Sequence, residues 1–447
     1  MMNRSADALR GRPLSRPVTA RGLPPPRPAA APSDKSDRLL LGALMALGFL
    51  SPLDGFYALT TSLGGVSPMK ITGYIAAGVL LTRLGGVVTR QPRAFWLWTG
   101  SFAIGTALAL FRDGFEDMSL DVGTLWQMMA LWSLATAASR TERGIRQLTG
   151  SLVLGLAVTC SLYVLLYAID FEVASNSERV TSVAGFRANY AAYVGALTLL
   201  MSAMLWGTYG TRGRVMLVLG SLSATYVMLL SNSRGLQLAL LIGLVALTYR
   251  SFASARFKKL RGPIVAMCVI GLAVALLNTN YRDSLLESMR ERWIGDTSIE
   301  ALTTDRNIIF STALDVAAEE PIGVGIGNAK REIGERVPLD LTAYVTIAQS
   351  QVLEAHNEFL RILIECGWIG FLLYMIGWLV MFSSAVRRGK SPDHQWPFAL
   401  LVFVFVSILS DNFHGIKVTW VLLGIVSGDL AMGAARLRPP LRRPYVR

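Results

Sequence analysis

Charge is scarce in this chain. Only 16% of its 447 residues are Asp, Glu, Lys or Arg, while 52% are hydrophobic and the mean hydropathy is +0.45, a balance that excludes an ordinary soluble domain. Cysteine is scarce as well. Cys160, Cys268 and Cys366 have no pair spacing, which excludes a disulfide framework and leaves packing as their role. Of the 3 histidines, His356, His394 and His414, none forms a His-x-x-x-His pair, and the carboxylates mostly alternate with Lys/Arg. A metal site and a bound cofactor are therefore not expected. Ten-residue stretches of alternating apolar and polar residues are missing, which excludes a β-barrel. Segment 1–38 has no apolar core followed by a cleavage site. It reads as a disordered basic tail that stays attached, not a signal peptide.

What is abundant is apolar run. Stretches long enough to cross a hydrocarbon core of about 30 Å as helices recur at 39–60, 67–88, 94–111, 121–138, 148–168, 188–208, 215–231, 236–250, 262–279, 366–385, 396–411 and 418–434. The expected fold is all-α, a polytopic membrane protein of about twelve transmembrane helices. With the N-terminus inside, most of the 43 Lys/Arg and few of the 30 Asp/Glu fall on inside segments, so the net charge of +13 encodes orientation by the positive-inside rule. Nucleic-acid binding is not expected. The chain then divides into a cytoplasmic tail (1–38), helices one to nine (39–279), a large, mostly helical periplasmic loop (280–365), helices ten to twelve (366–434) and a second basic cytoplasmic tail (435–447).

Most connections are short, but the segment 280–365 is too long for an idle loop. Leu285, Leu286, Met289 and Trp293 recur there at helical spacing, as do Arg306, Phe310, Ala313 and Ala317. Pro321 is expected to stop the second helix, and Gly323-Val-Gly-Ile-Gly327 to make a flexible turn. A dinucleotide site is excluded there because no strand precedes the glycines.

Cations on the outer face need a reason, because burying one at mid-bilayer costs about 2.5–3.5 kcal/mol on insertion scales. Lys70, Arg187, Arg234, Arg306 and Lys417 all fall on that face, where a lipid-linked phosphate would present itself to an arginine fork. Snorkelling to lipid headgroups is the competing account for Lys70 and Lys417. Arg234, wedged in Ser231-Asn-Ser-Arg-Gly between two apolar runs, points to function. His356 stands in Glu354-Ala-His-Asn-Glu-Phe-Leu-Arg, about 15 Å above the tenth apolar run if helical. There a neutral imidazole could take a proton from a sugar hydroxyl.

Four stretches give the chain a family likeness: Gly185-Phe-Arg-Ala-Asn-Tyr-Ala-Ala, Ser231-Asn-Ser-Arg-Gly, Asp305-Arg-Asn with Pro321-Ile-Gly-Val-Gly-Ile-Gly, and His356-Asn-Glu-Phe-Leu with Glu365-Cys-Gly-Trp-Ile-Gly. In order, spacing and topology they resemble the superfamily of O-antigen ligases and Wzy-type polymerases. The resemblance implies an inverting, metal-independent glycosyltransferase in the bacterial inner membrane. Its donor would be undecaprenyl-diphosphate-linked O-antigen and its acceptor the lipid A core oligosaccharide, with the active site facing the periplasm. It implies His356 as catalytic base, Arg234 and Arg306 as essential arginines at the diphosphate, and Arg187 and Asn189 as substrate-binding residues; Lys70, from its outer-face charge, and Asn357, beside His356, are expected to bind substrate as well. The family's Asn-Pro-Asn-like motif appears here only as Arg187-Ala-Asn189.

One dominant outer loop without an Arg-x10-Gly repeat favours a ligase over a polymerase or a protein O-oligosaccharyltransferase. A non-enzymatic lipid-linked glycan transporter would want charges at mid-bilayer and repeated, interrupted spans. Asp429 is one of few charges at such a position.

Overall fold

The computed structural model describes residues 35–56, 68–81, 91–114, 120–176, 179–231, 233–249, 306–336, 357–388, 395–409 and 416–437. Helices occupy every expected span within these residues. They are α1 (Lys35–Leu50), α2 (Pro68–Leu81), α3 (Arg93–Asp113), α4 (Leu120–Ala138), α5 (Glu142–Ala168), α6 (Ala188–Leu205), α7 (Thr211–Ser231) and α8 (Arg234–Tyr249). After the long segment come α9 (Arg306–Glu319), α10 (Ala329–Arg336), α11 (Glu358–Arg388), α12 (Trp396–Ser407) and α13 (Lys417–Leu437). Five of them, α3, α5, α6, α7 and α11, are long and apolar enough to cross a membrane on length and composition alone. The expected spans 39–60 and 262–279 fare differently. The first ends early, because Pro52 cannot donate to a helix ladder and the chain turns through a 3-10 segment, Pro52–Gly55. The second lies outside the described residues, as do Leu285, Leu286, Met289 and Trp293.

The bundle closes through small residues and tryptophans. Gly424 and Gly428 on α13 are spaced as a Gly-x-x-x-Gly pair, and a Cβ there would lie 2.4 Å from the Cβ of Ala135 on α4 and of Ser139 just after it, respectively. Small residues of this kind let membrane helices approach backbone to backbone. Trp132 Nε1 donates to Ser427 Oγ at 2.9 Å across the same contact. Trp98, Trp132 and Trp378 are fully buried and stack around Trp420 and Tyr374, so the widest side chains fill the centre. Cys160 and Cys366 are buried free thiols, as a packing role requires; Cys268 lies outside the described residues. Asp429 is partnered by a bidentate pair, with Arg388 Nε and Nη2 donating at 2.6 and 2.8 Å.

The all-α expectation misses one piece. Between α5 and α6 the chain folds as an antiparallel three-stranded sheet, β1 (Val173–Asn176), β2 (Arg179–Val183) and β3 (Phe186–Arg187), in the order β1-β2-β3. Its strands are only two to five residues long, too short for a periodicity signal. Phe186 anchors the sheet to the bundle, with ring centroids 4.3 Å from Phe56 and 4.8 Å from Tyr190.

The α9–α10 unit is not a free-standing loop. Ala313, Val316 and Ala317 of α9 bury against Leu363 and Ile364 of α11, with Val324, Ala329 and Ile333 completing a small core. Pro321 does follow the end of α9. The glycine run after it turns as expected, with positive φ at Gly323, Gly325 and Gly327, yet it is packed and not flexible. Val324 N and Gly325 N donate to Ile364 O (2.9 Å) and Glu365 O (3.0 Å), and Ile326 N donates to Gly105 O (3.1 Å). Ile364 O and Glu365 O are open to the turn because α11 breaks at Gly367 (φ 65°), whose neighbour Trp368 N donates back to Pro321 O at 3.1 Å. Gly105 lies eight residues from the end of α3, so the turn dips about 12 Å below it at 1.5 Å per residue. Non-helical backbone at such depth is tolerated when protein satisfies its polar groups.

A methyl group at Gly367 would sit 2.1 Å from Ile322 O, on top of a left-handed backbone that costs about 1–3 kcal/mol for other residues. Gly367→Ala is therefore expected to lower the thermal unfolding midpoint in detergent substantially. An unchanged midpoint would show that the turn and the break are not interlocked.

Candidate active site

The candidate cations within the described residues stand at or near the amino ends of their helices. Lys70 is exposed in the first described turn of α2, and Arg187 is exposed at the junction of β3 with α6, where it precedes the first helical residue. Asn189 is half-buried in the next turn. Arg234 is the first residue of α8 and half-buried, Arg306 is the first described residue of α9, and Lys417 is the first of α13. Packing places several of these ends together. Lys417 Nζ is ion-paired with Asp54 of the turn after α1, Tyr190 Oη donates to Ser51 O at 3.2 Å, and Thr419 Oγ1 donates to Tyr193 Oη at 3.0 Å. Gly195 of α6 lies against Ala224 and Met228 of α7, which sets the end of α7, and Arg234 just after it, beside the start of α6.

Lys70 and Lys417 also line one cleft of about 130 Å³ between α2 and α4, whose other walls include Met69, Tyr74, Met128 and Leu131. It is an apolar cleft with two ammonium groups.

This placement runs against helix electrostatics. The amino end of a helix carries a partial positive charge of about half a unit, so cations favour the other end by roughly 0.3–1 kcal/mol. Arg187, Arg234 and Lys417 all stand at the unfavourable end. For Lys417 the compensating anion is Asp54, and helix amino ends with arginine are a ready phosphate site.

His356, like His394 and His414, lies outside the described residues. Its neighbour Asn357 is the amino cap of α11: Asn357 Oδ1 accepts from Phe359 N at 2.9 Å and Leu360 N at 3.2 Å, as a capping asparagine does. Glu358 N donates to Ile408 O at 3.0 Å, which pins the start of α11 to the end of α12. The helix thus begins two residues after His356, earlier than the apolar run at 366 suggests.

Residues 217–375 match the family described as O-antigen ligase. The match spans 159 of the 447 residues and supports an O-antigen ligase-type family for this domain. No curated protein matches the chain. The ligase domain contains Arg234, Arg306, His356 and Asn357, while Lys70, Arg187 and Asn189 come from helices that precede it. Members of this family are membrane glycosyltransferase-like enzymes, and the apolar helices with the family match support an inner-membrane protein.

The ligase domain also holds a charged cluster that sequence reading passed over. Arg361 Nε donates to Glu365 Oε1 at 2.9 Å and Arg361 Nη2 to Asp121 Oδ2 at 3.4 Å. Glu358, Arg361 and Glu365 are all buried, and their i, i+3, i+7 spacing, which puts them on one helix face, was the available signal. Nearby, Asn328 Nδ2 donates to Asp113 Oδ2 at 2.6 Å, and Arg112 Nη2 to Glu332 Oε1 at 2.5 Å, fastening α10 to the end of α3. Among the described residues no group of three or more His, Cys, Asp or Glu is placed to hold a metal ion.

Proposed function

We propose that this protein is an inverting, metal-independent glycosyltransferase that moves O-antigen polysaccharide from undecaprenyl diphosphate to the lipid A core oligosaccharide. The observation that carries this reading is the set of cations at helix amino ends on one end of the bundle, which suits a diphosphate, within and beside an O-antigen ligase-type domain. In this proposal the chain makes about twelve spans with both termini cytoplasmic. Segment 280–365 and the cationic end then face the periplasm.

A hydroxyl of the acceptor sugar attacks the anomeric carbon while His356 takes its proton. The bond from that carbon to the diphosphate oxygen breaks, the configuration inverts, and undecaprenyl diphosphate leaves with the electron pair. Arg234 and Arg306 stabilise the charge that builds on the leaving oxygens. Arg187, Asn189 and Asn357 hold the donor's polar part, and Lys70 meets the lipid phosphate where the apolar cleft opens.

Deleting the gene separates this reading from its nearest rival. A ligase deletion leaves long polymer on the lipid carrier and uncapped lipid A core. If single repeat units still cap the core while only long polymer disappears, the protein is a polymerase, and a glycosylated protein acceptor that is lost would mark an O-oligosaccharyltransferase.

A further inference from the structure

Burying a guanidinium costs several kcal/mol unless its charge and hydrogen bonds are matched. Arg361, 3% exposed, meets that demand with Glu365 and Asp121, and Glu358 also faces it. An i, i+4 pair that served only to support a helix would sit in water, worth about 0.3–0.5 kcal/mol. This one is enclosed and shared. Glu365 Oε1 also accepts from Gly327 N at 2.9 Å, and Asp121 Oδ2 also lies 3.7 Å from Lys330 Nζ. Four segments therefore meet on it: the start of α4, the start of α10, the end of the glycine turn and the first two turns of α11. The amino end of α11 is fixed a second time by the Asn357 cap and by Glu358 N on Ile408 O. The next residue back along the chain is His356.

We propose that Arg361, through Glu365 and Asp121, is a positioning residue for His356: the cluster locks the amino end of α11 against α4 and the glycine turn. Misplacement by about 1 Å can cost 10²-fold in rate. This proposal rests on the assignment of His356 as base.

The test uses the full-length protein in detergent with the lipid-diphosphate glycan donor. Removing Arg361 alone leaves Glu358, Glu365 and Asp121 uncompensated, so the informative variant is the double Arg361→Met/Glu365→Leu, which removes one carboxylate with the guanidinium and leaves Asp121 beside Lys330. Should it fail to fold by thermal unfolding and gel filtration, Arg361→Lys takes its place. The folded variant is expected to bind donor within about twofold of the parent while kcat falls about 10²-fold. Combined with His356→Ala, it should slow the reaction no further, because residues acting through one another are non-additive. A normal kcat, or a loss of donor binding that parallels the loss of rate, overturns the proposal. So does a combined variant markedly slower than His356→Ala alone. Full activity of His356→Ala by itself would instead sink the base assignment, which keeps the two failures apart.

Discussion

His356→Ala is expected to lower transfer of polymer to lipid A core by about 10²- to 10⁴-fold, the usual contribution of a positioned general base. Expression should not change, and polymer should remain on the lipid carrier as it does in the deletion. The reason is local. Asn357 caps α11 with its side-chain oxygen and Glu358 is pinned to α12, so the helix does not depend on the imidazole and the variant should fold. The loss then falls on proton transfer. Normal laddered lipopolysaccharide from the variant, at parental protein level, would remove His356 from the mechanism.

Arg234→Lys is expected to fail as a rescue, leaving about 10²-fold less activity than the parent, comparable to the loss of one donor to a developing oxyanion. Lysine keeps the charge but loses the planar fork that donates two parallel hydrogen bonds to a phosphate. Arg234 opens α8 three residues after the buried Ser231 that closes α7, so the backbone on either side is set by packed helices. If Arg234→Lys works at parental rate in a transfer assay, the residue supplies charge balance only.

Much of this architecture is legible in the sequence. The helices follow the apolar runs closely because a bilayer-scale run allows little besides a helix, and Pro321 and the glycines after it are placed as punctuation should be. What sequence reading missed has a common cause. Gly367 looks like a tolerated glycine within a long apolar run, since one glycine costs a helix only about 1 kcal/mol. The break there is imposed by Pro321 to Ile326, which seat their backbone on the carbonyls of Ile364, Glu365 and Gly105. Likewise Arg361 looks like a headgroup-facing residue until Asp121, 240 positions away in sequence, is brought to it. The β1–β3 sheet was hidden by its shortness. Lys70, Arg187 and Arg234 are singled out by charge placement alone, but their shared position near helix amino ends emerges only with the helix boundaries.

The most direct test of the central claim is transfer by the purified protein, in detergent with a chelator present, from an undecaprenyl-diphosphate-linked glycan to a lipid A core acceptor. The account predicts capped acceptor and released undecaprenyl diphosphate in equal amounts, with the anomeric configuration inverted in the product. No donor consumption, or retained configuration, would contradict it.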